Sequence, residues 1–203
     1  IDKGVQAILL VEDSVRFYST YLPELYKLIL KQSSEFLKET LNEQQRKFRK
    51  RSRPKILLAT NLDDALQMYT RYRNNLLGVI SDVGFTVHKG DSADMEKLDA
   101  GIDLVKHIKA DNDKMPILLQ SSQDSISAVA KELGVGFLRK YSKTLMLQLS
   151  DYIKEEFGFG DFVFRDANHV EYGRAANLKE LEAIIREVPD EVLLYVTAKN
   201  MLS

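Results

Sequence analysis

Ala7-Ile8-Leu9-Leu10-Val11-Glu12-Asp13-Ser14 is an unbroken apolar run that ends on two adjacent carboxylates and a hydroxyl. A strand with one face in water alternates apolar and polar residues. Five apolar residues in a row suit a strand covered on both faces, as in a parallel sheet. Similar runs recur at 56–59, 76–80 and 117–119, with a weaker one at 135–138. Helical patterns lie between them. One covers 63–74 behind Asn61, a residue suited to capping. Another covers 102–109, with Ile102, Val105 and Ile108 on one face, and a third covers 126–133 and stops at Gly134. Strands alternating with helices predict an α/β fold with a doubly wound, five-stranded parallel sheet.

The whole chain sets bounds on this reading. Its 203 residues are 44% hydrophobic and 29% charged, with a formal net charge of -1. A core of ordinary size can form, and global charge marks neither nucleic acid nor membrane as a partner. The absence of cysteine excludes disulfides and thiolate metal sites and fits a cytoplasmic location. His88, His107 and His169 lie too far apart in sequence for a zinc spacing. No apolar run approaches the ~20 residues of a membrane span. The chain opens at Ile1-Asp2, which suggests a piece of a longer protein.

The first crossover, about 14–53, carries no strand pattern and is expected to be an extended helix. Val15, Tyr18, Leu22, Leu25, Ile29, Phe36, Leu41 and Phe48 loosely follow helical spacing. At ~1.5 Å per residue such a helix outruns the sheet it covers. Either it kinks or breaks near Pro23 or Ser33-Ser34, or it projects to pair with a partner, a second copy included. The segment 46–55 holds seven basic residues in ten and reads as a solvated helix end rather than a nucleic-acid surface. A first unit at 1–157 is followed by an appendage at 158–203. In the appendage, 162–165 and 170–174 flank a hairpin turn, Asn177 caps a helix through 188, and Pro189-Asp190 starts a last helix toward Asn200.

Ligands of open parallel sheets bind beyond the carboxyl ends of the strands. Those ends read Val11-Glu12-Asp13-Ser14, Ile80-Ser81-Asp82-Val83-Gly84, Leu119-Gln120-Ser121-Ser122 and Leu138-Arg139-Lys140-Tyr141. Folding gathers three carboxylates, a hydroxyl and an ammonium at one edge. Clustered carboxylates repel unless a cation relieves them. A hard dication such as Mg²⁺ takes oxygen ligands and joins carboxylates to phosphate. Asp82 then serves as a nucleophile toward a phosphoryl donor, with Lys140 and Ser121 facing the charge that develops.

At these residues the sequence resembles the receiver domains of bacterial two-component response regulators, the CheY-like family. The resemblance rests on Ile8-Leu9-Leu10-Val11-Glu12-Asp13-Ser14, Val79-Ile80-Ser81-Asp82, Pro116-Ile117-Leu118-Leu119-Gln120-Ser121-Ser122 and Gly134-Val135-Gly136-Phe137-Leu138-Arg139-Lys140, and covers about 6–155. It implies a flavodoxin-like sheet of order 2-1-3-4-5 and Asp82 as the phosphoacceptor. Mg²⁺ would be held by Glu12, Asp13, Asp82 and the backbone carbonyl of Gly84. Ser121 and Lys140 would contact the phosphoryl group, and Ser121 and Phe137 would form the switch. Partners would be a histidine kinase or phosphotransfer protein. The chain would be no enzyme beyond its own phosphorylation and dephosphorylation, although a fused catalytic part stays open.

Three departures stand out. Tyr141 follows the lysine where the family has a cis proline. Asp82 and Gly101 are 19 positions apart, so 88–98 is an insertion, with Asp91, Asp94 and Glu96 near the site. Ser122 stands where a small residue is usual. The tail, 158–194, resembles the segment after receivers fused to phosphoenolpyruvate synthase-like or pyruvate phosphate dikinase-like proteins. That resemblance implies an alternative, a phosphorylation-independent regulatory module of such a protein.

Overall fold

Strand β1 (Ala7–Val11) is buried along its whole length and sits in the middle of the sheet it organises. The computed structural model describes residues 5–37, 54–158, 162–166, 168, 170–175 and 178–198. β2 (Lys55–Ala59), β3 (Leu76–Asp82), β4 (Ile117–Ser121) and β5 (Gly136–Arg139) complete a five-stranded sheet of order β2-β1-β3-β4-β5. All four pairings are parallel. This is the fold class and strand order the sequence predicted, with each strand end shifted by at most two residues.

The helices that carry the chain between strands are α1 (Val15–Leu37), α2 (Leu62–Tyr72), α3 (Ala100–Asp111), α4 (Ile126–Glu132) and α5 (Leu145–Glu156). Asn61 caps α2 as expected, its side-chain oxygen accepting the Asp64 N–H at 2.8 Å. Gly134 stops α4 with φ 65°, a left-handed conformation that costs glycine little. One core joins Leu9, Val11 and Val79 of the sheet to Tyr69 of α2, Leu104 and Ile108 of α3 and Ala130 of α4.

The first helix takes the unbroken one of the two expected forms but buries a different stripe. It runs through Pro23 and through Ser33-Ser34 without a break. Among the residues of this helix whose burial is described, Tyr21, Leu25 and Ile29, spaced by four, are buried, whereas Val15 is 64% exposed. Burial of this stripe offsets the hydrogen bond that an interior proline forfeits. Residues 38–53, which carry the rest of the expected helix and most of the basic run, lie outside the described residues.

The chain divides into two compact units, Ile1–Leu149 and Ser150–Ser203. That division falls inside α5, eight residues before the predicted 157/158 boundary. In the second unit β6 (Phe162–Arg165) and β7 (Glu171–Ala175) form an antiparallel hairpin. Asp166 closes its turn by accepting the N–H groups of Asn168 and Val170 at 2.8 and 2.9 Å. α6 (Leu178–Glu187) and α7 (Asp190–Ala198) follow, and Phe164, Val188, Val192 and Val196 make a small separate core. His169, Asn177 and Asn200 lie outside the described residues.

Candidate functional site

The register of the parallel strands assembles the site. Val11 pairs with Ser81, so Glu12 and Asp13 emerge beside Asp82, the last residue of β3. Asp82 in turn pairs with Gln120, which places Ser121 one step further on. Ser121 pairs with Arg139, and its carbonyl accepts the Lys140 N–H at 2.8 Å. Carboxylate oxygens of Glu12, Asp13 and Asp82 lie within 4.8 Å of one another.

Lys140 closes the group. Its ammonium donates to Glu12 Oε2 at 2.8 Å and to Asp82 Oδ2. It also lies 4.3 Å from the centroid of the Phe17 ring, within the range of a cation–π contact. Glu12 is 1% exposed and Lys140 is 8% exposed, so these charges meet away from water. The second Glu12 oxygen accepts the Ser14 N–H at 3.2 Å, and Asp82 Oδ1 accepts the Val83 N–H at 2.7 Å.

Burial pushes the Glu12 carboxyl up to about 7, with the Asp82 charge adding to the rise and Lys140 opposing it. Asp82 is also raised, by burial first, against the pull of Lys140. For Lys140, burial works against the charge, but Asp82 and Glu12 more than offset it and hold the ammonium above its usual range. One ammonium is therefore insufficient for the carboxylates around it. An all-oxygen donor set with surplus negative charge suits a hard dication of the Mg²⁺ type.

Packing beneath the acceptor is tight. Gly101, in the first turn of α3, donates to the Val83 carbonyl at 2.8 Å. A Cβ on Gly101 would overlap the Asp82 carbonyl and stand 2.9 Å from Val83 Cα. The loop between β3 and α3 returns on itself, and Phe85 and Lys97 form an antiparallel bridge. Gly84 lies on the outgoing arm beside Glu96. Burial raises the Glu96 carboxyl, with the Asp13 and Asp82 charges adding to it.

The remaining predicted positions are placed as follows. Ser121 is buried at the end of β4, and its hydroxyl oxygen accepts the Gln123 N–H at 3.1 Å. Phe137 is partly buried and packs on the main core. Ser122 is exposed. Tyr141 is 78% exposed and left-handed at φ 66°, and no cis peptide occurs among the described residues.

Sequence reasoning missed Phe17 and Tyr21. Phe17 stacks on Tyr21 at 4.6 Å and meets Tyr141 edge-on at 6.0 Å. The Tyr21 hydroxyl accepts a buried 2.8 Å bond from Gln120. The available signal was spacing, because residues 17 and 21 stand one helical turn apart in the first turns of α1.

Comparison with solved structures fixes the architecture. The chain is similar to the receiver domain of sensor histidine kinase PA1611 from Pseudomonas aeruginosa PAO1, a structure with a magnesium ion coordinated in its active-site cleft. Identity is 16%, 76% of this chain and 98% of that chain are covered, and the TM-score is 0.50. A response regulator receiver protein from Sinorhizobium medicae WSM419 is similar at 13% identity, with 76% and 95% covered and a TM-score of 0.50. The fold is the receiver fold. No protein-family profile matches the sequence, and no curated protein matches it as a relative. Beyond the receiver fold lies the second unit, with its own hairpin and core. Among the described residues no helix is long and apolar enough to cross a membrane.

Proposed function

We propose that the chain is a phosphoacceptor switch, in which Asp82 takes a phosphoryl group with the help of Mg²⁺ in a bacterial phosphorelay. The observation that carries this reading is Lys140, whose one ammonium is bonded to both Glu12 and Asp82 at the mouth of a receiver-type sheet. Glu12, Asp13, Asp82 and the Gly84 carbonyl would hold the ion. When bound, Mg²⁺ supplies positive charge to the carboxylates and to the phosphoryl oxygens.

The protein's own residues do the rest. An Asp82 oxygen forms a bond to phosphorus while the phosphorus–nitrogen bond of a phosphohistidine, or the phosphorus–oxygen bond of acetyl phosphate, breaks. The leaving imidazole or acetate keeps the bonding electrons, and the imidazole takes a proton from water. Lys140 exchanges its bond to the Asp82 carboxylate for one to the phosphoryl oxygens, and the Ser121 hydroxyl donates to another. The added charge is read out through Ser121 and Phe137 as a change of binding surface. Donors are a histidine kinase or phosphotransfer protein. α1, with Tyr26 and Leu30 exposed, is the element through which a homodimer would form. Apart from its own phosphorylation and dephosphorylation, the chain is not an enzyme in this reading, and it works in the cytoplasm.

The test is incubation of the protein with beryllofluoride or acetyl phosphate, with and without Mg²⁺. An Mg²⁺-dependent adduct on the wild type, absent in Asp82→Asn, is expected. A second reading, a phosphorylation-independent module of a larger phosphoenolpyruvate synthase-like protein, has the left-handed Tyr141 in its favour. That residue stands where the resemblance leads one to expect a proline. A folded wild type that takes neither reagent at millimolar Mg²⁺ would select it.

A further inference from the structure

The loop between β3 and α3 carries four carboxylates, and the structure sorts them. Asp91 accepts the His88 N–H at 2.9 Å and serves its own turn. Asp94 is bonded to the Ser92 side chain. Glu96 is placed differently. Phe85 and Lys97 exchange backbone hydrogen bonds of 3.2 and 3.0 Å, which fixes residue 96 beside residue 84. The Glu96 carboxylate lies against Gly84, with one oxygen too close to leave room for a Cβ there. It therefore reaches, from the returning arm of the loop, the backbone two residues after the acceptor.

This placement runs against the local field. Asp13 and Asp82 both act on Glu96 through their charge. Lys97 next to it is committed to Asp103 and Asp99. A carboxylate on an exposed loop has open water to turn to, yet this one lies against Gly84, two residues after Asp82. A cation in the site turns that repulsion into attraction.

We infer that Glu96 belongs to the cation site and strengthens Mg²⁺ binding through its charge, from outside the set of ligands. The inference rests on the proposed phosphoacceptor reading and adds a positioning residue to it.

Mg²⁺ affinity measured by calorimetry at fixed ionic strength tests it. Glu96→Gln is expected to weaken binding about threefold to tenfold, the size of one nearby charge acting on a dication through water. Asp94→Asn removes the same charge from the same loop and should leave affinity unchanged. Gly84→Ala keeps the charge but displaces the carboxylate, so it should weaken binding as Glu96→Gln does, and the double variant should lose nothing further. Wild-type affinity in Glu96→Gln would overturn the inference while leaving the phosphoacceptor reading intact. An equal loss in Asp94→Asn would also overturn it, by showing a diffuse loop charge. If the wild type binds no Mg²⁺ at millimolar concentration, the phosphoacceptor reading itself fails.

Discussion

Replacing Glu12 with glutamine should flatten the pH dependence of stability in metal-free protein. The Glu12 carboxyl is 1% exposed and is pushed from 4.5 to about 7. Between those values the folded protein holds a proton that the unfolded chain has released. Stability therefore falls as pH rises through this window. A rise from 4.5 to about 7 corresponds to roughly 3 kcal/mol, an upper bound because Asp82 titrates with it. Lys140 is raised above 10.5, so its contribution is complete below that value and constant here. His88, raised by its bond to Asp63, adds a slope of the same sign that both proteins share. Urea unfolding in EDTA at pH 5 and pH 8 isolates the Glu12 part. The wild type should lose up to about 3 kcal/mol more than Glu12→Gln over that interval. Equal slopes in the two proteins would refute the buried, half-neutralised carboxylate. Mg²⁺ should reverse the trend, since it requires the ionised form: its stabilisation of the wild type should grow from pH 6 to pH 8.

Two further outcomes test the frame around the site. Gly101→Ala should cost about 2–4 kcal/mol, because its Cβ meets backbone atoms of Asp82 and Val83 that have nowhere to move. Its urea midpoint and its capture of beryllofluoride should fall together, and a midpoint close to wild type would contradict the packing. Tyr141→Pro, which installs the residue the receiver resemblance leads one to expect, should destabilise by more than about 1 kcal/mol. Proline fixes φ near −65°, whereas residue 141 stands at φ 66°. A variant as stable as wild type in thermal unfolding would show that this loop takes another conformation.

Most of the sheet was legible because its signals are local. Unbroken apolar runs mark strands buried on both faces, and Gly134 and Asn61 end and begin helices by their own chemistry. The gathering of Glu12, Asp13, Asp82, Ser121 and Lys140 at one edge follows from a general property of parallel sheets. The phase of α1 was less legible. Tyr18 and Leu22 fit a helical stripe as well as Tyr21 and Leu25 do, and only the position of the sheet selects the second. Glu96 carried no local signal to separate it from Asp91 and Asp94. Its placement depends on the bridge between Phe85 and Lys97, which is a tertiary event.

One departure from the receiver pattern, Tyr141, bears on Lys140. Its ammonium must be desolvated to sit between Glu12 and Asp82, and burial alone would favour its neutral form. Two carboxylates offset that cost electrostatically, and the face of Phe17 covers the charge without competing for its hydrogen bonds. Phe17 is itself held between Tyr21, which is anchored to Gln120 inside the sheet, and the ring of Tyr141. Tyr141 reaches that edge from a left-handed backbone, where a proline could not stand. The residue after the lysine thus joins an aromatic wall that begins on the first helix. Lys140 therefore touches α1 through the ring of Phe17, whereas Phe137, on the strand before the lysine, packs in the core.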